Sequence, residues 1–219
     1  MISNERSATL RITEIFHSLQ GETSRVGLPT VFIRLTGCPL RCVYCDTTYA
    51  FSGGKNMTLE DILEQTAKHG TRFVTVTGGE PLAQKGSLML MKQLCDAGYQ
   101  VSLETSGALD VCEVDGRVMK IMDIKTPASE EEAKNLWSNI ECLNSQDELK
   151  FVICNESDYL WAKEKVSALA LHEKCDVLFS PAQGQLNASE LADWILRDQL
   201  PVRMQVQLHK ILWGNVAGR

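Results

Sequence analysis

Thr30-Val31-Phe32-Ile33-Arg34-Leu35 runs directly into Thr36-Gly37-Cys38-Pro39-Leu40-Arg41-Cys42-Val43-Tyr44-Cys45-Asp46, and the rest of the chain is read outward from this stretch. The first half is an apolar, β-rich run of strand length. The second half is a loop with three thiols within eight residues, separated by three and then two residues. In parallel β/α architectures the chemistry sits at the C-terminal ends of the strands, where loops converge. A strand that ends in a cysteine loop fits that plan.

Downstream, strand-like runs alternate with segments of helical period. Thr58-Leu59-Glu60-Asp61 can cap a helix whose apolar face carries Leu59, Ile62, Leu63 and Ala67 and which Gly70 stops. Residues 72–76 read as a strand, 87–97 as a helix ended by Gly98, and 100–103 as a strand. Further strands fall at 119–124, 149–153, 177–179 and 202–206, with helices near 130–139, 157–168 and 189–198. No linker or internal repeat interrupts the series. The 219 residues are short for a closed eight-stranded barrel, which commonly uses about 250. The expectation is an α/β fold, a partial, open β/α barrel of about six parallel strands, in a single domain over 1–219.

Composition narrows the function. Hydrophobic residues make up 44% of the chain, enough for a sizeable core. The net charge of −6 comes with no basic run, which argues against nucleic acid as a partner. No apolar stretch is long enough for a bilayer and the first residues lack a secretory pattern, so no membrane association and a cytoplasmic location are expected. In that compartment thiols stay reduced, and clustered cysteines among the eight read as metal ligands. Cys95, Cys112, Cys142, Cys154 and Cys175 are scattered and read as buried small side chains or idle thiols.

One loop carrying Cys38, Cys42 and Cys45 can place three sulfurs around one small metal body. A structural zinc wants four ligands, and the nearest histidines, His17 and His69, are far off in sequence. Thiolates suit an iron-sulfur cluster, and three protein ligands leave one iron of a 4Fe-4S cubane open. The competing reading is a zinc knot completed by a distant ligand. Other polar, Gly-containing clusters also follow strands: Thr77-Gly78-Gly79-Glu80-Pro81, Glu104-Thr105-Ser106-Gly107 and Asp123-Ile124-Lys125. Glycines there would let backbone approach a ligand closely.

Cys-x3-Cys-x2-Cys, with Tyr44 just before the last cysteine, resembles the signature of the radical S-adenosylmethionine superfamily. The resemblance implies a 4Fe-4S cluster on Cys38, Cys42 and Cys45 whose open iron S-adenosylmethionine chelates, giving a 5′-deoxyadenosyl radical that takes hydrogen from a substrate. It implies cofactor contacts from Tyr44, from Gly78, Gly79 and Glu80, from Glu104 and Ser106 near the ribose, and from Lys125 near the cofactor carboxylate. No side chain is implied as a catalytic group of its own, because the cofactor carries the chemistry.

Leu19-Gln20-Gly21-Glu22 narrows the resemblance to the 7-carboxy-7-deazaguanine synthase family of queuosine precursor biosynthesis. Phe32 to Cys38, Cys45-Asp46-Thr47, Thr77 to Pro81, Glu148 to Ile153 and Gln207-Leu208-His209-Lys210 share it. The family converts 6-carboxy-5,6,7,8-tetrahydropterin to 7-carboxy-7-deazaguanine with release of ammonia, aided by magnesium. By this resemblance Leu19, Gln20, Gly21, Glu22, Thr77, Gln207 and His209 meet the pterin, Arg34 its carboxylate, and Thr47 a Mg2+ ion. A flavodoxin or ferredoxin electron donor and a homodimer are also implied. Ile211 to Arg219 extends past the family's usual end, and Asp123 stands where many members carry serine. The alternative is an activase that makes a glycyl radical on a protein partner, since such enzymes are similarly short and often carry Asp-x-Lys.

Overall fold

Side chains alternate between the two faces of a strand, and in this protein the two sets differ in chemistry. The computed structural model describes residues 8–216 and 218. Its strands are β1 (Thr9–Leu19), β2 (Pro29–Leu35), β3 (Lys55–Thr58), β4 (Phe73–Gly78), β5 (Gln100–Thr105), β6 (Met119–Ile124), β7 (Glu148–Ile153), β8 (Asp176–Pro181) and β9 (Arg203–Met204). They form one sheet in the order β3-β1-β2-β4-β5-β6-β7-β8-β9. From β2 to β9 every neighbour pair is parallel. The end strands β3 and β9 do not pair, so the barrel is open, as expected.

Val31, Ile33 and Leu35 of β2, Val74 and Val76 of β4, Val101 and Leu103 of β5, and Leu149, Phe151 and Ile153 of β7 belong to one buried apolar cluster. The helices α1 (Leu59–Ala67), α2 (Gly86–Asp96), α3 (Glu156–Ala168), α4 (Leu171–Lys174) and α5 (Ala188–Arg197) add Ile62, Leu90, Leu94, Tyr159, Ala162, Val166, Leu171 and Leu191 to it. The Thr58–Asp61 capping box that starts α1 is present in both directions. The alternate residues, Arg34, Thr77, Glu104, Asp123, Lys150 and Val152, line a cavity on the other face.

The loop between β1 and β2 closes the gap left by the open barrel. The Ser24 amide donates to Glu148 Oε1 at 2.8 Å, and the Thr23 amide to Gln205 Oε1 at 2.8 Å. Both acceptors come from the far half of the sheet, so a turn near the start of the chain is tied to strands near its end.

Four expectations are corrected. Residues 9–19, where no strand was expected, form an antiparallel strand on β2, and Lys55–Thr58 pairs with it. A register shift between Ile12 and Glu14 breaks the alternation that would have revealed β1. The helix expected over 130–139 is replaced by 3-10 turns at Glu132–Lys134 and Trp137–Cys142. Here Asn135 bonds the Lys125 backbone in both directions, and Asn139 donates to the Gly107 and Leu109 carbonyls, competing with helical bonding. Of 202–206, only Arg203–Met204 pairs as a strand.

The fourth correction concerns thiols. Cys112 and Cys142, expected to be idle, form a disulfide with Cα atoms 5.2 Å apart. Cys154 and Cys175 are buried and free, as expected, and Cys95 is free and partly exposed.

Candidate active site

A cavity of about 670 Å³ opens at the C-terminal ends of the strands. Cys38, Cys42 and Cys45 line it, and all three are free thiols. Burial pushes the Cys42 thiol up to about 11 and raises Cys38 as well, so these two thiols hold their protons when bare and ligation must displace them. Among the described residues no three His, Cys, Asp or Glu side chains gather tightly enough for a single metal ion. The fit to a cluster therefore rests on three free thiols of one loop facing one cavity. Gly37 is part of this fit: its φ of 98° turns the chain into the loop, and its amide donates to Ala50.

The Gly78-Gly79 step lies against that loop. A Cβ on Gly79 would overlap the carbonyl of Gly37, and one on Gly78, at φ 146°, would overlap the backbone of Leu35. Only glycine lets the second loop pack this close while still lining the cavity. Glu80 is placed differently from these glycines. It is wholly buried and does not line the cavity. Its carboxylate accepts from Thr105 Oγ1 at 2.9 Å, from the Ser106 amide at 2.7 Å and hydroxyl at 2.5 Å, and from the Leu82 amide at 3.0 Å. This carboxylate, saturated by the protein, clasps the end of β4 to the end of β5.

The remaining expected residues converge. Leu19, Gln20, Gly21, Glu22, Arg34, Tyr44, Thr47, Thr77, Glu104, Ser106, Lys125, Gln207 and His209 all line the cavity. Arg34 is anchored through Nε to Glu14 at 2.7 Å and stacks near Phe16 and Tyr49. Thr47 donates its hydroxyl proton to Asp46 Oδ1 at 2.9 Å, which turns its oxygen lone pairs outward as an acceptor or ligand. His209, on α6 (Leu208–Trp213), packs so tightly on Gly21 that any Cβ there would overlap its ring. Burial holds the His209 imidazole below its usual value, toward the neutral form.

Two carboxylates on the floor are pushed in opposite directions. Burial raises Glu104, and the nearby charge of Glu22 adds to this, although Lys150 and a 2.8 Å bond from Thr77 work against it. Burial also works against Glu22, but Lys150 at 2.9 Å and Gln207 at 2.8 Å more than offset it and hold its carboxyl low. Lys125 pairs with Asp123 at 3.1 Å and lies over the Tyr44 ring. Among the described residues, Tyr44 OH and Asp123 Oδ1 are buried without a hydrogen-bond partner, and both belong to residues lining the cavity. Within the cavity, both atoms are free to meet a ligand or water.

Comparison with known proteins agrees with this geometry. The Radical SAM superfamily pattern matches residues 32–124. The 7-carboxy-7-deazaguanine synthase of Chlorobaculum tepidum is 47% identical over 94% of this chain and 96% of that protein. The chain belongs to this family. The synthases of Koribacter versatilis, 42% identical over 93% of this chain and 97% of that one, and of Methanospirillum hungatei, 38% over 94% and 87%, are similar along the same length. The crystal structure of QueE from Escherichia coli shares the fold, with a TM-score of 0.79 at 23% identity over 95% of this chain and all of that one. The family is a radical S-adenosylmethionine enzyme family, whose members carry a 4Fe-4S cluster and S-adenosylmethionine; the three free thiols, the glycine cradle and the unpartnered polar atoms fit that pair.

Beside the expected residues, Asp46, Tyr49, Asp123 and Lys150 also line the cavity. Lys150 had a signal in the sequence: it is a lone cation in Glu148-Leu149-Lys150-Phe151-Val152-Ile153, at a position alternating with apolar ones. Asp46 is tied to Lys210 of α6 at 2.7 Å, across a sequence separation that no local pattern announces. Against a partial desolvation that works the other way, Lys210 holds the Asp46 carboxyl down to about 2. The Asp46 side chain is 48% exposed, so the pair contributes little stability and mainly fixes α6 against the cysteine loop.

Proposed function

We infer that this chain is a 7-carboxy-7-deazaguanine synthase, converting 6-carboxy-5,6,7,8-tetrahydropterin to 7-carboxy-7-deazaguanine with release of ammonia. One observation carries the reading: Gln20, Glu22, Arg34, Gln207 and His209 face the same cavity as the three free thiols. When bound, the cluster and S-adenosylmethionine supply a 5′-deoxyadenosyl radical.

The chain's own residues bind, orient and exclude water. The planar guanidinium of Arg34, fixed by Glu14, offers paired donors to the substrate carboxylate. Glu22, kept ionised, accepts from the amino and ring N–H groups of the pterin. Neutral His209 offers one donor and one acceptor nitrogen. Thr47, its hydroxyl donating a hydrogen bond to Asp46, would offer its oxygen to a Mg2+ ion that also meets the substrate carboxylate. On the cofactor side, Gly78 and Gly79 would present backbone to the methionyl amine, Glu104 and Ser106 would meet the ribose, and Lys125 the methionyl carboxylate. Glu104, its carboxyl raised by burial, can offer a ribose hydroxyl either an acceptor or a proton.

The same reading includes a single domain over 1–219, a flavodoxin or ferredoxin donor, a homodimer and a cytoplasmic location. Among the described residues no helix is long and apolar enough to cross a membrane. The test is anaerobic incubation of the reconstituted protein with S-adenosylmethionine, reductant, Mg2+ and 6-carboxytetrahydropterin, with product read by mass spectrometry. 7-Carboxy-7-deazaguanine formed without any partner protein is the expected result. Deoxyadenosine released without pterin turnover would overturn the substrate assignment and favour the activase reading, which the buried Asp123–Lys125 pair leaves as the second choice.

A further inference from the structure

Four charged side chains cross the floor of the cavity in one chain of contacts. Lys125 Nζ lies 3.1 Å from Asp123 Oδ2, and Lys150 Nζ lies 3.5 Å from the same oxygen. The Lys150 ammonium also lies 2.9 Å from Glu22 Oε2, and Glu22 Oε1 accepts from Gln207 Nε2 at 2.8 Å. The register places Asp123 and Lys150 directly opposite each other on β6 and β7, so the contact is fixed by sheet pairing and does not depend on a mobile loop. The Lys150 and Glu22 side chains are each 13% exposed and Asp123 17%, so their charges are poorly screened.

We propose that Lys150 is a positioning residue that serves both halves of the cavity: it holds Glu22 for the pterin and shares Asp123 with Lys125, keeping Lys125 available to the cofactor carboxylate. The inference deepens the reading above and rests on it for the roles of Glu22 and Lys125. Its electrostatic basis is a charge count. Lys125, Lys150, Asp123 and Glu22 together carry no net charge, two cations against two anions. Without Lys150 the set carries one net negative charge. Asp123 is then left to neutralise Lys125 alone, and Glu22 loses the contact that keeps it ionised. An anionic methionyl carboxylate arriving at Lys125 would meet a less favourable field. A substrate arriving at Glu22 would meet an acceptor free to rotate or protonate.

A residue that only filled space would behave differently, and the separation is measurable. Cluster-loaded wild-type protein, Lys150→Met, Lys150→Arg and Glu22→Gln are compared by equilibrium binding of S-adenosylmethionine and, separately, of 6-carboxytetrahydropterin, with thermal unfolding as a control. Lys150→Met is expected to weaken both ligands, each by about thirtyfold, the lower end of the loss on truncating one partner of a buried charge pair. Lys150→Arg should restore most of the cofactor affinity, and Glu22→Gln should weaken the pterin alone. Should Lys150→Met fail to fold, the double variant Glu22→Gln/Lys150→Met removes the pair together; the set is then neutral again, and S-adenosylmethionine should bind more weakly than to wild type but by less than in Lys150→Met, because Asp123 is no longer shared. Unchanged S-adenosylmethionine affinity in either variant overturns the proposal. The cofactor arm stands apart from the substrate assignment: a wild-type protein that binds S-adenosylmethionine but no pterin would fail the synthase reading, while the Lys150 variants would still decide this one.

Discussion

The two faces of β7 are made by neighbouring residues and obey different rules. Leu149, Phe151 and Ile153 are fully buried against α3 and β8 side chains, with the Phe151 ring 5.4 Å from Phe179 and 6.4 Å from Trp161. Between them, Lys150 and Val152 line the cavity. One face is interchangeable in chemistry and exacting in volume. The other is exacting in chemistry, because each charge there is matched to a named partner. Substitutions on the first face should cost stability, and substitutions on the second should cost ligands.

Cys42→Ala is the most severe test of the ligand side. It should abolish cluster loading, read as iron content and visible absorbance after anaerobic reconstitution, while far-UV circular dichroism stays native. Loss of the fold instead would break the separation between the faces. Phe151→Ala tests the other side and should cost about 3–5 kcal/mol in chemical denaturation. Protein that remains folded should bind S-adenosylmethionine with wild-type affinity.

Glu80→Ala belongs to neither face, which sharpens the comparison. It strands donors from Thr105, Ser106 and Leu82, so a cost of about 2–3 kcal/mol is expected. It also frees the end of β5, so S-adenosylmethionine affinity should fall by about tenfold. A loss of stability with unaltered affinity would show that the clasp does not position the cofactor loops.

The smallest effect is in pH dependence. Glu22 is held below its ordinary value of 4.5, so its contribution is complete above that pH and is lost as the pH falls through the lower folded value. Glu104 is raised, so its contribution is complete below 4.5 and is lost as the pH rises through its folded value. Urea midpoints taken from near neutrality to about pH 3 should therefore fall less steeply for Glu22→Gln than for wild type. Equal slopes would show that Glu22 is not held low.

The same contrast explains what was legible in the sequence. The buried face of the parallel strands was readable because Val31-Ile33-Leu35 and their counterparts announce a strand by composition alone, and the cysteine and glycine loops follow those strands directly. β1 was hidden by its register shift, and the 130–139 segment by asparagines whose side chains bond distant backbone. The Cys112–Cys142 link spans 30 residues and joins two loops that no periodicity relates. At the site, family resemblance located the lining residues, whereas the roles of Glu80 and Lys150 depend on which way a side chain points and what it meets. Glu80 turns away into the protein and Lys150 turns inward to Glu22 and Asp123.

The central claim is that the cysteine loop and the pterin-facing residues serve one reaction in one cavity. The direct test uses substrate carrying deuterium at the carbon that bears the carboxylate. Incubated anaerobically with the loaded protein, it should yield deoxyadenosine and recovered S-adenosylmethionine that contain deuterium, alongside 7-carboxy-7-deazaguanine. Product formed with no deuterium in either adenosyl species would contradict the account.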